Sequence, residues 1–274
     1  MYIKHLAKFA LAAAGLAGLL AACGHYVQTT SGSKYLSAYN DPDAAIDGEV
    51  ATDPEIAAAA NVEPQLRFPA RIGLARIGEQ GLEAVPVGEA ESWRDLAERL
   101  GGGYGEFVPV SPLIAALAEP EPSKLVITHD LVRSYRSSLA RVAREVRLGA
   151  ARQHLDAVLI YETFGKSSES SNPLALTKLA LIGFFLPTEN VKAEGFAQAV
   201  LVDVRNGYTY GTASAVAEQP SDRLTTVGDS SDAHIAARAE AEARAVANLA
   251  SEVEAMVREL RLALAEGRAA GSLP

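Results

Sequence analysis

Side chains that could do catalytic or metal chemistry are scattered singly along this sequence of 274 residues. The five histidines are His5, His25, His129, His154 and His234, and no two of them stand four residues apart, a spacing that places two metal ligands on one helix face. No Gly-x-Ser-x-Gly nucleophile motif occurs. The sequence therefore predicts no catalytic, cofactor-binding or metal-binding residue, and we expect a protein that is not an enzyme.

A glycine-rich stretch at residues 101–105 has the composition of a phosphate-binding loop. Such a loop follows a strand, opens a helix and carries Lys with Ser or Thr. Here the glycines follow a helix predicted to begin with Ser92 as its cap, and they precede a strand predicted at residues 107–110. We therefore interpret the stretch as a helix stop.

Arginines do cluster, on a long basic helix predicted over residues 130–154. At 3.6 residues per turn, Arg133, Arg136, Arg144 and Arg147 fall near one face. Guanidinium groups bind carboxylates and phosphates, which cell-wall peptides and lipid head groups both offer. Two interpretations stay open, a possible anion-contact face and a solvated helix face that is balanced by acidic residues elsewhere in the fold.

The N-terminus has the layout of a secretory signal peptide. Lys4 and Lys8 precede an unbroken apolar run of about 14 residues, well short of the ~20 that span a bilayer as a helix. The only cysteine of the chain follows, in the stretch Leu20-Ala21-Ala22-Cys23. Two interpretations of this cysteine are open, and one is an ordinary signal peptide that holds a cysteine near its cleavage site.

The other interpretation is lipidation, because Leu-Ala-Ala-Cys resembles the lipobox of bacterial lipoproteins. The resemblance implies that a signal peptide of residues 1–22 is cut off and that the sulfur and new amino group of Cys23 are acylated. Gly24 after the cysteine resembles the pattern sorted to the outer membrane. The resemblance thus implies a membrane anchor on Cys23, with the protein facing the periplasm.

Composition sets further limits. The formal net charge is −9 at pH 7, so we expect no nucleic-acid partner. Hydrophobic residues make up 49% of the chain, enough for a packed core. With its single cysteine lipidated, the chain has no disulfide to rely on.

We predict a lipidated cysteine and flexible tether over residues 23–66, followed by one α/β (α+β) domain over residues 67–274.

That domain is predicted to hold a mixed sheet packed by the long basic helix and a long C-terminal helix. Strands are predicted at residues 71–77 and 157–161, and a polar loop at residues 166–173. Asn206-Gly207 predicts a C-terminal β-hairpin over residues 198–216, with Arg205 opposite Tyr208 and Val204 opposite Thr209.

Two further segments leave alternatives open. The apolar stretch of residues 174–186 is interpreted as a core strand paired with residues 196–204, with a membrane-inserting hairpin as the alternative. The C-terminal helix is predicted over residues 233–266, with an apolar stripe that includes Ile235, Ala239 and Ala243. It is interpreted as packing on its own sheet, with a coiled-coil contact to another chain as the alternative.

The order of these parts resembles certain envelope lipoproteins. Residues 71–77, 156–161 and 200–216, with Asp203 before the turn, are similar to the group of the curli-secretion lipoprotein and the lipoprotein activators of penicillin-binding proteins. Leu181-Ile182-Gly183, Pro187 and residues 201–204 resemble the rhombotarget lipoproteins more closely. No catalytic residues come with these families.

The resemblance implies a non-enzymatic lipoprotein that acts through contacts with an envelope protein, in envelope assembly or maintenance. The alternatives are a subunit of an oligomeric outer-membrane secretion channel, which would be a homo-oligomer, and a cell-wall-binding module.

Overall fold

The structure is a computed structural model, and it describes residues 24–39, 53–78, 81–118, 131–171, 189–219, 224–225 and 230–271. Within these ranges the helices are α1 (Gly32–Tyr39), α2 (Pro54–Ala60), α3 (Val87–Leu100), α4 (Pro112–Ala118), α5 (Leu131–Arg152) and α6 (Ser230–Ala269). The strands are β1 (Gly24–Val27), β2 (Ala70–Gly78), β3 (Gly81–Glu83), β4 (Gly105–Pro109), β5 (Ala157–Ser171), β6 (Glu189–Asp203), β7 (Thr209–Gln219) and β8 (Leu224–Thr225). This mixed α/β architecture confirms the predicted fold class.

The described strands form one mixed sheet. Its order is β1-β7-β6-β5-β2-β3, with β4 also on β2 and β8 on β6. Strand β2 runs parallel to β4 and β5, whereas β5, β6, β7 and β1 alternate in direction. The strands predicted at residues 71–77 and 157–161 are confirmed as the adjacent central strands β2 and β5.

Helix α5 covers part of one sheet face, here called the second face. Buried residues of α5 and of the sheet form one cluster there, which includes Val142, Val146, Ala150, Ala75, Val158 and Val204. Helix α4 lies directly on α5, because a Cβ added to Gly149 would stand 2.7 Å from the Cβ of Ala115. The predicted basic helix is therefore confirmed, and its apolar stripe faces the sheet.

Helix α6 packs along the opposite, first face of the sheet. Its buried side chains include Leu249, Val253, Met256 and Leu260, and they join the main core. The helix comes close to the sheet at Gly195. A Cβ added there would lie 2.1 Å from the backbone oxygen of Ala241, so this position has no room for a side chain. The interpretation that α6 packs on its own sheet is confirmed, and the second half of the predicted apolar stripe, which a coiled coil with another chain would need, is buried here.

The first half of the predicted α6 stripe is wrong. Ile235 is 66% exposed and Ala239 is also exposed, whereas Ala237 and Ala241 are buried. Alanine occupies so many positions here that its periodicity does not select one face. The close approach of α6 to Gly195 of the sheet instead determines which face of the helix is buried.

Residues 24–66, predicted as a flexible tether, are largely built into the domain where they are described. Strand β1 pairs with Gly211–Ser214 of β7. Gly32 donates its backbone N–H to the carbonyl of Val62 at 3.1 Å, and Leu66 is fully buried. The tether prediction is therefore wrong for residues 24–39 and 53–66, which belong to the described part of the domain.

The hairpin predicted from Asn206-Gly207 is confirmed as β6–β7, but its register is wrong by two residues. Thr209 lies opposite Val202 and not opposite Val204. Asp203 donates its backbone N–H to Tyr208 at 2.8 Å, and its carboxylate accepts the N–H of Arg205 at 2.8 Å. The Asp203 side chain thus organises a longer turn than the two-residue loop that the sequence predicts.

Strand β5 runs to Ser171, so the polar loop predicted at residues 166–173 is wrong up to that residue. Residues 174–186 lie outside the described residues. Their predicted pairing with residues 196–204 is wrong, because β5 occupies one edge of this part of β6 and β7 occupies the other.

Helix α3 begins earlier than predicted. Its cap is Pro86, so Ser92 lies inside the helix and does not start it. The helix ends at Leu100, and Gly101 follows with a φ of 75°, in the region that favours glycine. The predicted helix stop is therefore confirmed.

An ionic contact between α3 and α6 predicts a dependence of stability on pH. Arg99 Nε donates to Glu254 at 2.6 Å and Arg258 Nη2 donates at 2.8 Å. The hydrogen bond from Arg99 lowers the pKa of Glu254 below its usual 4.5, with help from Arg258 and against the effect of burial. A carboxyl with a lowered pKa stabilises the fold above the unfolded-state pKa and loses that contribution as pH falls through the folded-state pKa.

We therefore expect Glu254→Gln to lower the free energy of unfolding by roughly 1 kcal/mol at neutral pH. The difference from the parent should shrink as pH falls below about 4.5, the usual pKa of this carboxyl. Urea unfolding at a series of pH values measures it, with Glu98→Gln on the exposed side of α3 as the control. A difference that stays constant with pH would contradict the ionic contact.

Candidate functional site

One half of the second sheet face is open to solvent. Because side chains alternate along strands, one cross-strand row on this face holds Tyr26, Thr212, Val200 and Ile160, which lie opposite one another in the strand registers. Tyr26 is 62% exposed, and Val200 and Ile160 are half-buried. No helix among the described residues buries this row as α6 buries the first face, so it is a candidate contact surface.

A second apolar row, the phenylalanine strip, consists of Phe164, Phe196 and Val216. The rings of Phe164 and Phe196 stack with centroids 6.4 Å apart, and Val216 lies opposite Phe196 on β7. Phe164 is 49% exposed. Aromatic side chains on solvent-facing positions are enriched at protein interfaces, so this strip is suited to contact with another protein.

Between the row that begins with Tyr26 and helix α5 lies a depression of about 710 Å³, here called the cross-strand groove. This volume is in the range of typical ligand clefts, ~300–1,000 Å³. Its apolar wall is formed by side chains from β1, β6, β5, β2 and α5, namely Tyr26, Val200, Ile160, Ile77 and Val142. The groove runs across the strands and not along them.

The other side of the cross-strand groove is polar. Ser214, Gln198 and Glu162 lie in register across β7, β6 and β5. The side-chain amide of Gln198 donates to the carboxylate of Glu162. The groove therefore has one apolar wall and one polar rim, and the charged group on that rim is engaged with its neighbour.

The β1 end of this site is held in place by His25. Its side chain lies on the sheet face opposite to Tyr26 and contacts α6. Its Nδ1 lies 3.1 Å from Glu252 Oε2 and its Nε2 lies 3.2 Å from Glu259 Oε2, both on α6. Two carboxylates of α6 therefore flank the ring, and each accepts a hydrogen bond from any ring nitrogen that carries a proton. No local sequence pattern predicts this pair of contacts, because the partners are more than 200 residues apart along the chain.

Of the four arginines predicted to form an anion-contact face, Arg144 and Arg147 have described side chains. Arg147 Nη2 donates to the carbonyl oxygens of Val204 at 3.1 Å and Arg205 at 3.3 Å, so it closes the β6–β7 turn. Arg144 is exposed on α5. The side chains of Arg133 and Arg136 lie outside the described residues, so anion contact remains a prediction for those three.

A buried polar cluster lies beneath α3, and no sequence pattern predicts it. Arg76 Nε donates to Glu89 Oε1 at 3.1 Å, and the Tyr161 hydroxyl donates to Glu89 Oε2 at 2.9 Å. Burial, together with the nearby Glu89 charge, raises the pKa of Tyr161, so its hydroxyl keeps its proton. Each member is engaged by another, and the cluster fixes α3 to the sheet.

The described residues contain no group of three or more His, Cys, Asp or Glu side chains that could hold a metal ion. In the same part of the chain, no helix combines the length and the apolar character needed to cross a membrane.

Comparison with known proteins gives likeness to solved structures alone. No protein-family model matches the chain, and no curated protein matches it. The PelC dodecamer from Paraburkholderia phytofirmans is 15% identical over 68% of this chain and 91% of that chain, with a TM-score of 0.28. Lipoprotein GNA1162 from Neisseria meningitidis is 16% identical over 63% of this chain and 99% of that chain, with a TM-score of 0.29.

The hypothetical protein CT253 from Chlamydia trachomatis is 13% identical over 69% of this chain and 99% of that chain, with a TM-score of 0.30. At TM-scores of this size the likeness establishes neither a common fold nor a common function. The resemblance to the rhombotarget and related lipoproteins therefore stays a prediction.

Proposed function

We propose that this protein is a lipid-anchored, non-enzymatic component of the bacterial cell envelope that works through protein contacts. The lipid is carried on Cys23, and the domain faces the periplasm from the outer membrane. The observation that carries the proposal is the position of β1. The first residue of the sheet, Gly24, directly follows Cys23 in the chain.

A lipid on Cys23 would therefore be attached next to the edge of the sheet and not at the end of a long tether. Strand β1 is held by its pairing with β7 and by His25 on α6. A lipid on Cys23 would therefore keep the whole domain at the bilayer surface, with the phenylalanine strip on the same sheet. Half-exposed aromatic residues on a rigid sheet favour contact with a partner protein that is also close to the membrane.

The arginine contacts bear on the cell-wall alternative. Arg147 is engaged with the turn carbonyls of Val204 and Arg205, which removes one of the four arginines from an anion-binding face. An oligomeric channel remains the alternative that the phenylalanine strip also supports, with a second copy of the chain as the partner.

We expect Cys23→Ala to abolish incorporation of radiolabelled palmitate and to move the full-length protein out of the membrane fraction. In the same cells, a photoreactive phenylalanine analogue at Phe164 should give a discrete crosslinked product in the parent and much less of it in Cys23→Ala. The analogue placed at Leu262, an exposed residue of α6, is the matched control.

The mass of the product separates the alternatives, since twice the mass of the chain indicates a second copy. Labelling that persists in Cys23→Ala would contradict the lipid anchor. Equal crosslinking from Phe164 and Leu262 would contradict a role for the phenylalanine strip.

A further inference from the structure

We propose that the cross-strand groove binds one acyl chain carried on Cys23, so that the protein shelters part of its own lipid. This inference rests on the lipidation proposed above. The groove opens where the lipid would be attached, because Gly24 and Tyr26 of β1 are among its lining residues. Because Cys23 precedes Gly24 in the chain, an acyl chain on its sulfur or amino group would start next to a lining residue of the groove.

The length of the groove fits an acyl chain. It extends from β1 across β7, β6 and β5 to Ile77 on β2. Four spacings between neighbouring strands, at ~4.8 Å each, give a length of about 19 Å. One leaflet of a bilayer is about 15 Å thick in its hydrocarbon part, which is the length that a lipid tail occupies there. A single chain of that length therefore fits within the groove.

The chemistry of the groove also favours a chain over a peptide. Its wall of Tyr26, Val200 and Ile160 offers apolar contact, with Val142 of α5 closing the inner side. The charge of Glu162 is engaged with Gln198 on the polar rim. A methylene chain lying on the wall covers apolar surface and needs no hydrogen-bond partner, whereas the backbone of a bound peptide would need several.

Attachment through β1 makes this binding intramolecular. No linker separates Cys23 from the strand, and the contacts of His25 with Glu252 and Glu259 hold β1 on α6. A ligand attached so close to its site has a high effective concentration there, so weak contacts suffice for occupancy. The lipid then has two apolar environments, the bilayer and the groove, and the groove keeps one chain out of water when the protein leaves the membrane.

The test uses the full-length lipidated protein from cells fed palmitate that bears a diazirine and an alkyne. The purified protein is irradiated, and adducts are located by peptide mass spectrometry. We expect adducts on groove residues, chiefly Tyr26, Ile160 and Val200. Val200→Trp fills the groove and should reduce these adducts severalfold, whereas Val87→Trp, at a residue 81% exposed on α3, should leave them unchanged.

Thr212→Trp, at an exposed position beside the same wall, is a second filling variant in case Val200→Trp fails to fold. Adducts confined to detergent, or spread evenly over the surface, would overturn the groove proposal while leaving lipidation intact. A chain that carries no label would overturn both. Groove adducts that persist in Cys23→Ala from labelled phospholipid would show that the groove takes a bilayer lipid and not the protein's own chain.

Discussion

Gly195→Ala is expected to lower the free energy of unfolding by about 3 kcal/mol, at the upper end of the usual cost of overpacking a core. The added Cβ would stand 2.1 Å from the backbone oxygen of Ala241 and 2.4 Å from its backbone carbon. Since these are backbone atoms of a long helix, no side-chain rotation relieves the contact. Helix α6 must then move away from β6 and loosen the core on the first face. The shift of the urea midpoint, at unchanged slope, measures the effect.

Gly102→Ala is the matched control. The same methyl group added at Gly102 meets no atom within 4 Å, and its backbone does not require a positive φ. We expect this variant to stay within ~0.5 kcal/mol of the parent, as surface substitutions usually do. Equal costs at the two glycines would contradict the close packing of α6 on β6.

Asp203→Ala is the second substitution with a large expected effect, a loss of about 3–4 kcal/mol of stability. The Asp203 side chain is fully buried. It accepts hydrogen bonds from the backbone N–H of Arg205 and the hydroxyl of Tyr210, each at 2.8 Å. Alanine leaves the buried Tyr210 hydroxyl and the partly buried N–H of Arg205 without their acceptor, which costs more than the hydrogen bonds themselves contribute.

The same substitution should loosen the chain before β2. The Tyr210 hydroxyl accepts from the backbone N–H of Leu66 at 2.7 Å and of Gln65 at 3.0 Å. Amide hydrogen exchange at Leu66 should therefore speed up in Asp203→Ala. Tyr210→Phe serves as the control, because it removes the hydroxyl but leaves the carboxylate on the turn. It should speed up exchange at Leu66 at a smaller cost in global stability. Unchanged exchange at Leu66 in both variants would contradict this network.

The sequence predicted those parts of the fold whose signal is local. The spacing of Val142 and Val146 predicts α5, and Asn206-Gly207 predicts the hairpin, because each pattern acts within a few residues. The register of that hairpin was not predictable in this way. It depends on the buried Asp203 carboxylate, whose partner Tyr210 is positioned by the completed fold.

Strand β1 was not predicted, for a related reason. Its four residues carry too little alternation to predict a strand, and its place depends on the free edge of β7 and on α6. The candidate site likewise depends on contacts that form only in the folded chain. The cross-strand groove combines residues from five strands and one helix, and Arg76 meets Glu89 and Tyr161 only after folding. Sequence separation hides such contacts, because single-sequence patterns report local periodicity and not tertiary neighbours.

The direct passage from Cys23 into β1 has a mechanical consequence. If Cys23 carries the proposed lipid and a partner pulls the domain away from the bilayer, the force enters the described structure at Gly24, where the pairing with β7 begins. The force would act first on the pairing of Gly24 with Ser214. It would act next on His25, whose ring contacts the carboxylates of Glu252 and Glu259. The short strand would thus couple the proposed anchor to the domain, and the contacts of His25 with α6 would resist its separation from the sheet.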